Sequence, residues 1–194
     1  TPSRGRVVLY CRLRAFADVE SSGDDVWGPS TYAAKGLGGS EEAALFISRQ
    51  LAARGYEVAV YANPPTADLQ RRDKGGATWH AWHAISAAEV DGGRGVDALI
   101  SWRNVEGSTL LPNARRRYIW LQDIVDQPAA YYSGLVANLS GIFVLSAFHQ
   151  RGLPAAAASR AILTSNGIDS ASLVSPGPNH HWRFMYAARR MTTL

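Results

Sequence analysis

The chain has a single cysteine, Cys11, among 194 residues, so no internal disulfide can brace it. That usage suits a reducing compartment, and the expected location is cytoplasmic. Cys11 ends a buried-looking strand, where packing is its expected role. Lysine is nearly absent: Lys35 and Lys74 stand alone, and the net charge of +4 comes mainly from scattered arginines. There is no basic-aromatic RNA signature and no helix-turn-helix pattern, so nucleic acid is not an expected partner. A moderately basic protein that handles phosphates accounts for the charge equally well. No apolar run approaches the roughly 18 residues of a membrane span. Thr1-Pro2-Ser3-Arg4-Gly5-Arg6 has no hydrophobic signal core, so a secretory signal is expected to be absent or already removed. Cys-x-x-Cys, His-Glu-x-x-His and Gly-Lys-Ser/Thr are all missing, which argues against a structural zinc, a zinc hydrolase and a P-loop. His80 and His83, three apart on an expected strand, would face opposite sides and could not share a metal.

What is present is organised around Lys35-Gly36-Leu37-Gly38-Gly39-Ser40-Glu41-Glu42. Ser40 reads as the N-cap of a helix, with Glu41 and Glu42 in its first turn, where the helix dipole favours carboxylates. Ala44, Ile47, Leu51 and Ala52 recur at helical spacing, and Gly55 is a stop signal. Strands are expected on either side, at 6–11 and 57–62. Strand, glycine loop, helix and strand form the first βαβ unit of a Rossmann-like domain, and the open amides at such a helix start suit a phosphate. A dinucleotide fits poorly. Glu41 stands at the third glycine position, the loop lies over twenty residues from the strand, and the second strand ends at Ala62-Asn63 without an acidic residue.

Residues 12–38 read as a long polar loop, either a flap over an acceptor or a solvated insertion, with Trp27 and Tyr32 favouring partial order. Five further strands are expected at 78–83, 96–103, 117–123, 141–146 and 161–164, with helical stretches at 127–138 and 147–152. Short apolar runs alternating with helical or polar connections predict an α/β fold, a Rossmann-like, mainly parallel sheet with helices on both faces. Ligands of such sheets bind beyond the carboxyl ends of the strands. That rule collects Gly38, Gly39 and Ser40 as phosphate-binding groups, with Arg103, Asp123, Ser146 and Asn166 following strands four to seven. Arg103 can hold a phosphate or a carboxylate, or merely form a surface ion pair. Asp123 can orient a hydroxyl or act as a base, or cap the next segment. Asn166-Gly167 is most simply a tight turn. Residues 1–169 are expected to form one domain, 170–181 a Ser/Pro/Gly linker, and 182–194 the first strand of a truncated second domain.

Several stretches together resemble a known family. They are Gly38-Gly39-Ser40-Glu41, Arg54-Gly55-Tyr56-Glu57-Val58-Ala59-Val60-Tyr61, Ile100-Ser101-Trp102-Arg103, Trp120-Leu121-Gln122-Asp123, Val144-Leu145-Ser146-Ala147-Phe148-His149 and Ser165-Asn166-Gly167-Ile168-Asp169. In this order they resemble the amino-terminal domain of family 4 retaining glycosyltransferases of the two-domain GT-B architecture. Arg183-Phe184-Met185-Tyr186-Ala187 is similar to the first strand of that family's second domain. The resemblance implies an acceptor-side domain whose glycine loop approaches the diphosphate of a nucleotide sugar held mainly by the second domain. It implies hexosyl transfer with retention, a glycan or small-molecule acceptor, no metal, and no cofactor beyond the nucleotide sugar, which is a substrate. It leaves peripheral membrane contact and oligomeric state open. By this resemblance Asp123 is the catalytic candidate, and Arg103, Gln122, Ser146 and Asn166 are contacts to donor or acceptor. Gln122 stands where members of this kind often carry histidine. The family's donor-gripping residues lie in the second domain, so this chain is expected to be inactive alone. The competing expectation is a non-catalytic Rossmann module that binds a sugar, a phosphate ligand or a protein partner.

Overall fold

The computed structural model of the chain describes residues 3–12, 26–86, 95–122, 132 and 134–166. Within them lie seven strands: β1 (Arg6–Tyr10), β2 (Glu57–Ala62), β3 (Thr78–Ala81), β4 (Ala98–Trp102), β5 (Arg116–Trp120), β6 (Gly141–Val144) and β7 (Ala161–Leu163). The helices are α1 (Pro29–Lys35), α2 (Gly39–Ala53), α3 (Ala147–Arg151) and α4 (Ala155–Ala158). All seven strands pair in parallel, in the order β3-β2-β1-β4-β5-β6-β7. The fold is α/β and Rossmann-like, as the alternation of apolar runs predicts. No helix of the described residues is long and apolar enough to cross a membrane.

Alternate residues of each strand feed opposite faces of the sheet. Val7, Leu9, Val58, Val60, Trp79 and Trp102 pack beneath α2, with its buried Ala43, Ala44 and Leu45. On the other face, Val8, Tyr10, Ala59, Tyr61 and Leu99 form one cluster, and Ile119, Leu121, Ile142 and Val144 join Val136, Leu153 and Ala157 in another. Helix α2 therefore covers the β2-β1-β4 half of its face. The connections after β5 and β6 pack against the opposite face. Among the described residues this leaves an apolar cavity of about 440 Å³ between Phe46 and Ile47 of α2 and Ile100, Trp120 and Phe143 of the sheet.

The carboxyl end of α2 closes as the sequence predicts. Gly55, at φ 89°, donates to the Ala52 carbonyl (2.9 Å) and Tyr56 donates to that of Leu51 (3.2 Å), the paired bonds of a Schellman stop. The amino end differs from expectation. Gly38 is the N-cap, with φ −66° and ψ 155°, and the helix begins at Gly39. Ser40 is already inside the first turn, so its hydroxyl is not a cap; it donates to Glu41 Oε2 at 3.0 Å.

The long segment before α2 also differs from a continuous loop, for it contains α1. Trp27 is buried edge-on against Trp79 (ring centroids 5.5 Å apart) and beside Trp102 (5.7 Å), which fixes the entry to that helix. Asp68 serves as a cap from 38 residues away, accepting from both the Ser30 amide (3.0 Å) and the Ser30 hydroxyl (2.9 Å). Tyr32 meets Phe46 edge to face at 5.6 Å, joining α1 to α2. The partial order expected of Trp27 and Tyr32 is therefore present.

Three further expectations change. β3 stops at Ala81, and Trp82–Ala84 is a 3₁₀ turn, so His83 is not on the strand with His80. His80 instead stacks on Tyr61 at 4.9 Å. β5 ends at Trp120, short of Gln122 and Asp123. The helix expected at 127–138 falls largely outside the described residues, and its last part, Val136–Asn138, is a 3₁₀ turn. The linker and the expected strand of a second domain, 170–194, also lie outside them.

Candidate functional site

The strand order reverses direction between β1 and β4, and the crevice of such a sheet opens above the carboxyl ends of those two strands. Three stretches meet there: the residues after β1, those after β4, and the start of α2. The loops after β1 and β4 are tied by Asn104, which is buried. Its Nδ2 donates to the Arg12 carbonyl (3.3 Å), and its Oδ1 accepts from the Gly107 amide (2.9 Å). Ser101 donates its hydroxyl to the Asn104 carbonyl, holding the same turn from beneath.

Arg103 occupies the tip of this turn with φ 57°, a left-handed conformation that costs a non-glycine residue about 1–2 kcal/mol. Its amide still donates to the Trp120 carbonyl at 2.8 Å, so the twist redirects the side chain without ending the pairing with β5. The guanidinium lies 5.1 Å from the centroid of the Trp102 ring and reaches across to α2. There Nη1 is 3.4 Å from Ser40 Oγ and 3.6 Å from Glu41 Oε1. These separations are long for hydrogen bonds, and the interaction is mainly electrostatic. Both side chains are about one-fifth to one-quarter exposed (24% and 20%), so water damps the attraction without removing it.

The first rung of α2 is the Glu42 amide donating to the Gly38 carbonyl at 2.8 Å. The amides of Gly39, Ser40 and Glu41 precede the helical ladder, as at any helix start. Gly38 and Gly39 are exposed, and a Cβ at Gly39 would meet nothing within 4 Å. Of the residues expected to bind phosphate, Gly38, Gly39 and Ser40 thus stand together on one turn, and Arg103 joins them. This arrangement of amides, dipole and guanidinium can hold an anion.

Behind the turn, the Cys11 thiol is pushed well above its ordinary range, first by burial and second by the nearby charge of Glu41. A thiol in that state is not a nucleophile at neutral pH. Tyr10 is also raised by burial, partly offset by its hydrogen bond to Arg12 and by the charge of Arg12. The Arg12 guanidinium itself lies 3.8 Å from the centroid of the Trp82 ring. Neither Asn104 nor the Arg12–Trp82 contact was foreseeable as part of the crevice. Asn104 looks like any polar residue beyond a strand, and the contact joins residues seventy positions apart in the sequence.

Two other expected residues form a separate pair. Gln122 Nε2 donates to Asn166 Oδ1 (3.2 Å), and Asn166 Nδ2 donates to Gln122 Oε1 (2.8 Å). The pair spans the carboxyl end of β6, next to Thr164 and Ser165 on the rim of the apolar cavity. Ser146 has a structural task, since its Oγ accepts from the His149 amide (3.1 Å) as the N-cap of α3. Asp123, the catalytic candidate, lies outside the described residues. Among the described residues, no three His, Cys, Asp or Glu side chains are grouped so as to hold a metal ion. Compared with known protein families, curated proteins and solved structures, the chain has no match.

Proposed function

We propose that this chain is the acceptor-side domain of a retaining, nucleotide-sugar-dependent glycosyltransferase. The observation that carries the reading is the approach of Arg103 to Ser40 at the switch point of the sheet. It brings a cation to the first turn of α2, and this supports the reading because the resemblance expects the diphosphate of the donor to approach that turn. When a hexosyl group leaves a nucleotide sugar, negative charge grows on that diphosphate. Fixed amides, a helix dipole and a guanidinium can stabilise the charge without first reorganising solvent. Gln122 and Asn166 then offer amide groups to hydroxyls of the acceptor or donor sugar, and Asp123 orients the attacking hydroxyl. On this reading the nucleotide sugar is held mainly by a second domain, and this domain contributes the acceptor side and one wall of the diphosphate site.

Calorimetric titration of the full chain with a panel of nucleoside diphosphate hexoses tests this reading. Weak, saturable binding is expected, reduced about tenfold or more by Arg103→Ala, as expected on losing a charge-assisted contact. Absence of binding by every member of the panel at millimolar concentration would refute it. Binding of free sugars with no dependence on the diphosphate would point to a non-catalytic sugar-binding module instead.

A further inference from the structure

The carboxylate of Glu41 occupies ground that an anionic ligand would need. Although it belongs to the first turn of α2, it folds back over the N-cap. Glu41 Oε2 lies 2.6 Å from where a Cβ on Gly38 would stand, so the carboxylate fits there only because residue 38 has no side chain. The same oxygen accepts from the Ser40 hydroxyl at 3.0 Å. Its partner, Oε1, faces Arg103 Nη1 at 3.6 Å. The carboxylate therefore engages both the hydroxyl and the guanidinium that converge on the crevice, beside the positive end of the helix.

We propose that the Glu41–Arg103 contact is autoinhibitory: Glu41 is a built-in competitor that a diphosphate must displace before Arg103 can engage it. The inference rests on the phosphate-binding reading above. A diphosphate and the Glu41 carboxylate are both negative, and they cannot share the Ser40 hydroxyl and Arg103 without repulsion. Binding then has two linked parts: Glu41 swings away from Gly38, and Arg103 transfers from an internal anion to an external one. Glu42 provides an internal comparison. It carries the same charge in the same turn, but no contact of its side chain with Arg103 or Gly38 accompanies it.

The test is calorimetric titration of the full chain with inorganic pyrophosphate, in metal-free buffer, for the wild type and for Glu41→Gln, Glu41→Ala and Glu42→Gln. Circular dichroism establishes that each variant is folded, and the two substitutions at 41 guard against loss of one of them. Glu41→Gln and Glu41→Ala are expected to bind about three- to fivefold tighter, the upper scale of a part-exposed ion pair. Glu42→Gln is expected to change affinity by less than about twofold, since only long-range charge is altered. Unchanged or weaker binding by both variants at position 41 would overturn the inference while leaving the phosphate site standing. An equal gain from Glu42→Gln would also overturn it, by showing that bulk charge alone is responsible. If pyrophosphate binds to none of the four proteins while nucleoside diphosphate hexoses do bind, the autoinhibitory contact is refuted and the wider reading survives. If neither probe binds, both fall.

Discussion

Gln122 and Asn166 hold each other by two antiparallel amide hydrogen bonds, at 3.2 and 2.8 Å, although they are 44 residues apart. The contact bridges the exits of β5 and β7 over the end of β6. Both residues are at least partly open to water, which competes for the same bonds. Each alanine substitution is therefore expected to cost about 1 kcal/mol or less. The pair should nevertheless be coupled, because either substitution removes both bonds at once. In a urea-denaturation cycle, Gln122→Ala with Asn166→Ala should cost less than the sum of the single changes by about 0.5 kcal/mol. Strict additivity would mean that water satisfies the amides equally well.

A second connection should be worth much more. Arg49 of α2 meets Asp73 in the link between β2 and β3 at 2.9 Å, and the Asp73 side chain is only 1% exposed. Asp73 Oδ1 also accepts from the amides of Gly75 (2.9 Å) and Ala77 (3.0 Å). The stem of Arg49 passes so close to Gly75 that a Cβ there would meet Arg49 Cγ at 2.1 Å. Asp73→Ala leaves a guanidinium and two amides short of their acceptor and should destabilise the chain by about 3 kcal/mol. That corresponds to a fall in melting temperature of about 8 °C for a domain of this size. Asp73→Asn keeps an acceptor for the two amides and should lose about half as much. Equal losses for the two variants would show that charge pairing with Arg49, and not the turn, dominates.

The parallel sheet was legible because Val7-Val8-Leu9, Val58-Ala59-Val60 and Ile142-Phe143-Val144 are apolar runs too short for helices. Strand ends were less legible. Arg103 and Gln122 prolong the pattern in sequence, but β4 and β5 end at Trp102 and Trp120. Helix α1 is not legible because it lies inside the long polar stretch 12–38, and its stabilisers, Trp79 and Asp68, come from elsewhere in the chain. Ser40 was expected to cap α2 because its side chain is a better cap than glycine. In the fold, Gly38 takes that position and leaves the Ser40 hydroxyl to Glu41. The candidate site was legible as a set of residues but not as partners. Arg103 meets Ser40 across 63 positions, and only the placing of β4 beside β1 brings them together.

Cys11 gives the chain an alkaline limit. Burial chiefly, and the charge of Glu41 secondarily, raise its thiol far above the ordinary value of 9.0. In the unfolded chain that thiol ionises near its ordinary value, whereas in the fold it stays protonated to much higher pH. Its contribution to stability is thus whole below about pH 9 and is lost as pH rises above it. The slope should be about 1.4 kcal/mol per pH unit. Tyr10, also raised, adds a slope of its own at higher pH, but it is present in both the wild type and Cys11→Ala and largely cancels between them. Cys11→Ala should be less stable than the wild type at pH 8, by about 1 kcal/mol for the small cavity. Its urea midpoint should then decline less steeply than the wild type's between pH 9 and pH 10.5, so that the two curves meet and then cross within that range. Parallel curves would mean that the thiol ionises as readily in the fold as in the open chain, which its burial beside a carboxylate should prevent.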